Sequence, residues 1–275
     1  MNKIIFLLFK IIFPILLLIL LPLIPIFFFD ATFTTIGLQM ILKSERDYNL
    51  AIEMLRYLNL NITYLFSVLI FFLVMNFFKR QNKGKLFNSN SNMYYNFYYP
   101  IFWIASNILG YDLVQLAGIP LHMQYKLILR GTFTSIKPDI WVDHYDTKSK
   151  LSVISISDIK KRDPKKINFI ISDTYKVKNN EIEKEYRKNS VISISSGNSD
   201  SRYINDDLVQ SVRSAFQLVR KNNFDEIYIF STANPQNNLN IVNSTFRFFG
   251  RFVNFKIFVV QKNNKGKYAN KYRII

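Results

Sequence analysis

Two long apolar runs near the start of the chain limit what it can fold into. Ile11 to Phe29 reads IIFPILLLILLPLIPIFFF, nineteen residues without a charge. Ile62 to Phe78 reads ITYLFSVLIFFLVMNFF, seventeen more, closed by Lys79 and Arg80. Each approaches the roughly 20 residues that cross about 30 Å of hydrocarbon. Both are too long and too uniformly apolar for an ordinary core helix. The expectation is a membrane anchor over residues 1–80, with two transmembrane helices at about 11–29 and 62–78.

Charge orients such an anchor. Lys3 and Lys10 precede the first run without an acid, and KRQNKGK (Lys79 to Lys85) puts four cations in seven residues after the second. The connection from Asp30 to Asn61 is near neutral. Cations flanking a span favour the cytoplasmic side, so both termini are expected inside and the connection outside. A cleaved signal peptide is the alternative for the first run, but the run exceeds the usual h-region of about 7 to 15 residues and no A-x-A site follows it. Pro14, Pro22 and Pro25 lack backbone N–H groups. Such breaks fit either a span packed against others or a kinked, inert anchor.

The remaining 197 residues suit one good-sized domain or two small fused halves. Of the 36 Lys and Arg, five fall in the first 78 residues, as do four of the 19 acids, so 31 cations and 15 acids follow. A basic domain of this kind meets anionic lipid or phosphate-rich ligands. With no cysteine in the chain, thiol chemistry and disulfides are excluded.

A polar linker is expected at 81–93 and a cytoplasmic domain over 94–275. The aromatic stretch Tyr94 to Leu121 reads as an interfacial helix or one joining the domain core, with a third span as the alternative. Alternating apolar and polar residues predict strands at roughly 126–134, 139–145 and 151–157, then Asn168 to Ser172. Asp173 to Asn189 is highly charged and reads as a short helix or a loop. VISIS (Val191 to Ser195), IYIF (Ile227 to Phe230) and KIFVV (Lys256 to Val260) read as strands. Helices are expected at 207–221, from the spacing of Leu208, Val212, Ala215, Phe216 and Val219, and at 238–249. Two β-α-β units imply an α/β domain with a Rossmann-type parallel sheet.

Catalytic chemistry is poorly supplied, and the expectation is that this is not an enzyme. There are two histidines, His122 and His144. In WVDHYD, strand alternation puts Asp143 and His144 on opposite faces, which argues against a metal cluster with Asp146. No nucleophile-elbow, Walker or dinucleotide-binding motif occurs, and no cofactor is expected. Binding is better supplied. Ligands of open parallel sheets lie beyond the strands' carboxyl ends, here Ser196, Gly197 and Asn198, and Ser231, Thr232 and Asn234. These small polar loops feed helix N-termini, which favour phosphate. Arg202, Arg251, Arg130 and Lys137 are the candidate cations. KKRDPKK (Lys160 to Lys166) carries five cations in seven residues, read either as a headgroup-attracting patch or as a solvated loop.

The last 85 residues resemble the SAVED domain, a CARF-related sensor of bacterial CBASS antiphage systems. The resemblance rests on VISISSGNSDSRYINDDLVQSV, then IYIFSTANPQNNLNIVNSTFRFFGR, then FKIFVVQKNNKGKYANKYRI, in the family's order. Gln236, Asn237 and Asn238 replace its usual small apolar residues, and Gln261 an acid. The resemblance implies a CARF-like fold, binding of a cyclic oligonucleotide made by a partner nucleotidyltransferase, and ligand-induced homo-oligomerisation, with no direct DNA binding. Relatives with two N-terminal spans imply a multi-pass inner-membrane effector whose activation disrupts the bilayer and aborts infection. The rival readings are a membrane-tethered nucleotide- or sugar-processing enzyme and a lipid-surface anchoring protein.

Overall fold

The computed structural model describes residues 3–28, 31–42, 44–57, 61–90, 92–138, 154–197, 204–247 and 255–275. They fall into two compact units, one of residues 1–87 with 100–112, the other of 88–99 with 113–275.

The first unit holds both apolar runs as helices. α1 spans Lys3–Phe28, with a π-helical turn at Leu8–Ile12. The connection after it is helical, as α2 (Ala31–Ile41) and α3 (Glu45–Tyr57). α4 spans Ile62–Asn82, its first turn capped by Asn61, whose side chain accepts from the Thr63 N–H at 3.0 Å. Ile11, Pro14, Leu18, Pro22 and Pro25 recur at three- and four-residue spacing and are the buried positions of α1 beyond its first turn. α1 packs against α4. The prolines thus sit within a helix's packed stripe. Around them the apolar residues face outward: Phe9, Ile19, Leu20 and Phe27 on α1, and Val68, Phe72, Leu73 and Phe77 on α4, are all more than half exposed.

The aromatic stretch yields a short helix, α5, made of Tyr99–Trp103 and a π-helical turn at Ile104–Ile108. It ends against the exit of α4. Asn82 Nδ2 donates to the Leu109 carbonyl at 2.8 Å, and the Gly84 N–H donates to Asp112 Oδ1 at 2.8 Å. Gly110, at φ 80°, passes so near the helix that a Cβ there would stand 2.4 Å from Lys79 Cα. Only glycine fits that crossing. Phe87 packs edge-on with Phe6, Phe102 and Tyr111 beside it.

The second unit is built on a mixed sheet. β1 (Leu113–Gln115) and β2 (Ser135–Lys137) form a separate parallel pair. The main sheet comprises β3 (Ser155–Ile156), β4 (Lys166–Ser172), β5 (Ser190–Ser195), β6 (Glu226–Ser231), β7 (Lys256–Lys262) and β8 (Tyr268–Arg273), in the order β3-β5-β4-β6-β7-β8. The four central strands are parallel, and the edge strands β3 and β8 are antiparallel to their neighbours. The expected all-parallel sheet is therefore its centre only.

Three helices carry residues of one core cluster: α6 (Leu121–Arg130), α7 (Asp206–Lys221) and α8 (Pro235–Ile241, continued by a π-helical turn at Val242–Phe246). Strand alternation adds to that cluster Ile167, Phe169 and Ile171 from β4, Ile192 and Ile194 from β5, Ile227 and Ile229 from β6, and Ile257 and Val259 from β7. Phe169, Phe216 and Phe246 meet edge-on at 5.0–6.4 Å between ring centres. On the opposite face Ile170, Tyr228 and Phe230 meet Val177, Ile182 and Tyr186. The segment after β4 supplies those three and contains two 3-10 turns, Asn179–Glu181 and Tyr186–Lys188.

Two expectations change. The strand expected at 126–134 is helical up to Arg130, because Met123, Gln124, Tyr125, Leu127 and Ile128 make a buried helical stripe. Gly131, at φ 56°, is that helix's left-handed cap. The helix expected at 238–249 starts earlier, at Pro235, capped by Asn234. The strand expected at 139–145 lies outside the described residues, as do 151–153, and of the described residues 154–157 Ser155–Ile156 is strand.

Candidate functional site

The carboxyl ends of β4, β5 and β6 come level, with Ser172 paired to Ser195 and Ile171 to Ser231. Beyond them lies a closed polar network. At its centre is Asp173, only 3% exposed. Its Oδ2 accepts from Asn237 Nδ2 at 2.8 Å and its Oδ1 from Ser196 Oγ at 3.1 Å. Its N–H donates to Thr232 Oγ1 at 2.9 Å. Thr232 Oγ1 donates onward to the Tyr175 carbonyl at 2.7 Å, and Thr174 Oγ1 donates to the Thr232 carbonyl at 2.6 Å.

Asn237 joins this strand end to two helices. Its Oδ1 accepts from the Asn205 N–H at 3.0 Å, and Asn205 caps α7 by accepting from the Leu208 N–H at 2.9 Å. Its own N–H donates to Asn234 Oδ1 at 2.8 Å, the cap of α8. Asn238 completes the floor: Nδ2 donates to the Ala233 carbonyl, while Oδ1 accepts from Ser231 Oγ at 3.2 Å and Tyr125 Oη at 3.3 Å. Burial pushes the Asp173 carboxyl above its usual value, although hydrogen bonds from Asn237, Ser196 and the Asn234 backbone pull it back. Burial likewise raises the Tyr125 phenol.

A rim of aromatic and charged groups extends the same end of the sheet. Lys262 Nζ stands 5.1 Å from the ring centres of both Tyr175 and Tyr268 and 3.2 Å from Glu181 Oε2. Tyr175 is nearly half exposed. Further along, the His122 ring stacks on Tyr272 at 3.7 Å, and its Nδ1 donates to Gln261 Oε1 at 2.7 Å. Burial chiefly lowers the pKa of that imidazole, and nearby Lys126 adds to the effect, while the Gln261 bond opposes it.

The structure brings Ser196, Ser231, Thr232 and Asn234 together, but as internal members of the network, each under 8% exposed. Gly197, at φ 68°, is exposed beside them. Arg130 is elsewhere. α8 runs away from Asn234 to Phe246, and Arg247 beyond it lies 3.4 Å from where a Gly131 Cβ would be. Arg130 therefore sits toward the far end of α8, its guanidinium 4.6 Å from the Tyr99 ring centre. Lys137 is exposed on β2. Asn198, Arg202 and Arg251 lie outside the described residues, as do Asp143, His144 and Asp146. The first turn of α7 carries Asp206 and Asp207, exposed acids that meet the helix's positive end themselves. A cavity of about 360 Å³ opens at the other pole, lined by Lys161, Arg162, Asp163, Pro164, Asn222 and Phe224.

Sequence reasoning missed Asp173, Asn205, Asn237 and the Tyr175–Lys262 rim. A signal existed: Asp173 directly follows a predicted strand, where a parallel sheet presents its ends. Asn237 stands three residues after its cap, the position whose N–H a cap bonds. The chemistry on offer is recognition. Neutral hydroxyls and amides hold a rigid floor, one buried carboxylate locks it, and a tyrosine face with a lysine stands at its edge.

A family model described as "SMODS- and Ubiquitin system-associated 2TM effector domain" matches residues 1–275. No curated protein matches the chain. Among solved structures, two of the Acinetobacter baumannii Cap4 SAVED/CARF-domain containing receptor are similar. That with the cyclic trinucleotide 3'3'3'-cAAA has 12% identity and a TM-score of 0.45. That with 2'3'3'-cAAA has 11% identity and a TM-score of 0.44. Each match covers 64% of this chain and 41% of the receptor chain.

Proposed function

Because the chain belongs to the SMODS- and Ubiquitin system-associated 2TM effector domain family, we propose that it is a non-enzymatic, nucleotide-gated membrane effector of the CBASS type. The sheet-bearing unit captures a cyclic oligonucleotide made by a partner nucleotidyltransferase. Capture drives homo-oligomerisation, and the two apolar helices, spanning a bacterial inner membrane with both termini cytoplasmic, rearrange and breach the bilayer. The observation that carries the reading is a whole-chain family match in which α1 and α4 turn apolar side chains outward.

At about 1.5 Å per residue, helices of 26 and 21 residues measure roughly 39 and 32 Å, enough for a bilayer core of about 30 Å. Only 22% and 17% of their most hydrophobic stretches are buried within the protein. Apolar area left in water costs about 25 cal/mol per Å², so a lipid surround is the stabilising one. The ligand class follows from the SAVED resemblance of the last 85 residues. The switch draws its free energy from tighter binding of ligand to the assembled state.

The test is ligand-dependent leakage. Full-length protein in dye-loaded liposomes should release dye on addition of one cyclic di-, tri- or tetranucleotide and should raise its unfolding temperature with the same compound. Silence across all three ring sizes sinks the reading, and turnover of the bound nucleotide would replace it with the enzymatic one. Arg202→Glu and Arg251→Glu are expected to abolish binding without lowering the unfolding temperature; unchanged affinity in both removes those residues from the site.

A further inference from the structure

The basic loop KKRDPKK remains unused by this reading, and it is a built structure. Ser190 Oγ accepts from the Arg162 and Asp163 N–H groups at 3.0 and 3.2 Å and donates to the Asp163 carbonyl at 2.6 Å. Asp163 turns its carboxylate inward, where Oδ1 accepts from the Lys165 and Lys166 N–H groups at 2.8 and 3.1 Å. The one acid in the loop is thereby spent on backbone rather than on its cationic neighbours. Lys165 and Lys166 approach Asp225 and Glu226 at 3.8 and 3.7 Å. Among the described residues, no carboxylate lies within ion-pair distance of Lys160, Lys161 or Arg162, all exposed.

These cations sit at the amino ends of the parallel strands, around the 360 Å³ cavity whose far wall is Asn222 and Phe224. The C-terminus of α7 points at that wall, and its dipole opposes an anion. Asn222 Nδ2 donates to the Leu218 carbonyl at 2.9 Å, and Arg220 and Lys221 occupy the last turn, which offsets that field. We propose that this pole is a docking surface for anionic phospholipid, with a headgroup phosphate seated between Lys161 and Arg162. The cavity supplies the seat. Asp163 leaves Lys161 and Arg162 without a carboxylate partner among the described residues, with Arg162 Nη1 held by the Arg187 carbonyl at 2.7 Å. Two membrane-length helices in the same chain select a lipid source over a soluble one. The inference rests on the bilayer-insertion part of the reading above, and reconstitution checks that part separately.

With no cysteine in the chain, Lys221→Cys puts one fluorophore on the cavity's rim and Lys176→Cys one at the other pole. The full chain is reconstituted in nanodiscs carrying a headgroup-attached quencher, of phosphatidylcholine alone or with phosphatidylglycerol added. Protease accessibility in the same discs reports insertion. Quenching at position 221 should rise about fivefold in the anionic discs, the scale of one cation's attraction to headgroups, and fall back at high salt. The label at 176 should not respond. Lys161→Glu with Arg162→Glu should erase the rise, as should the milder Lys160→Gln with Lys161→Gln, whose side chains make no ion pair among the described residues. Equal quenching in both lipids, or a rise that survives both double variants, overturns the proposal. Displacement by inorganic phosphate reassigns the cavity to a soluble ligand and overturns the lipid assignment.

Discussion

The two poles of the main sheet invest polar chemistry in opposite ways. At the carboxyl pole a single buried carboxylate, Asp173, is held by side chains from a neighbouring strand end and a helix start. At the amino pole the Asp163 carboxylate accepts from the backbone of its own loop, and the cations around it are exposed. The first arrangement fixes geometry, because each member has a partner that cannot move without the others. The second stores charge on a firm base.

The largest blow to this contrast comes from Asn237→Leu. It keeps the volume but leaves the Asp173 carboxylate and the Asn205 N–H short of partners, and should destabilise the sheet-bearing unit by about 3 kcal/mol. Thermal unfolding measures it, and a loss below about 1 kcal/mol would mean that water replaces the amide. Ser190→Ala is the counterpart at the amino pole. Three hydrogen bonds disappear between a fully buried hydroxyl and an exposed loop, for a loss of about 1 to 2 kcal/mol, with faster proteolysis within 160–166.

Asp173→Asn sharpens the comparison through pH. Burial raises the Asp173 pKa above 3.8 in the folded protein. A carboxyl raised in this way binds its proton better folded than unfolded, so its contribution is fullest at acid pH and declines as pH climbs through the raised value. Wild-type stability relative to the variant should therefore fall as pH rises above 3.8. Parallel unfolding curves across that range would show that the network neutralises the effect. Lys165→Ala should be close to silent, within about 0.5 kcal/mol, because its partner at 3.8 Å is as exposed as it is.

Local periodicity made α7 and the strands at 168–172, 191–195 and 227–230 readable, since their apolar residues repeat at the period of the element that forms. The run LILR misled because a short apolar stretch suits either period, and only the helical stripe beginning at Met123 decides it. The antiparallel edge β8 carries few apolar residues and owes its place to backbone pairing, which leaves little trace in composition; β3 falls within the strand expected at 151–157, but its antiparallel direction was not legible. At the site, the hydroxyl- and amide-bearing loops were legible as strand ends, but the inward aim of Ser196 and Thr232 was not. Direction depends on Asp173 and Asn237, residues 64 apart in the chain that meet only through the sheet. The amides at 237 and 238, which depart from the SAVED pattern, are the ones that carry the network.

Gly110 crosses the end of α4 where no larger residue would pass, and bonds from Asn82 and Gly84 tie residues 109–112 to the same place. The second apolar helix therefore ends in a firm joint rather than a slack cord: any twist or tilt it undergoes is delivered, like torque through a keyed shaft, to residues 109–112 of its own unit.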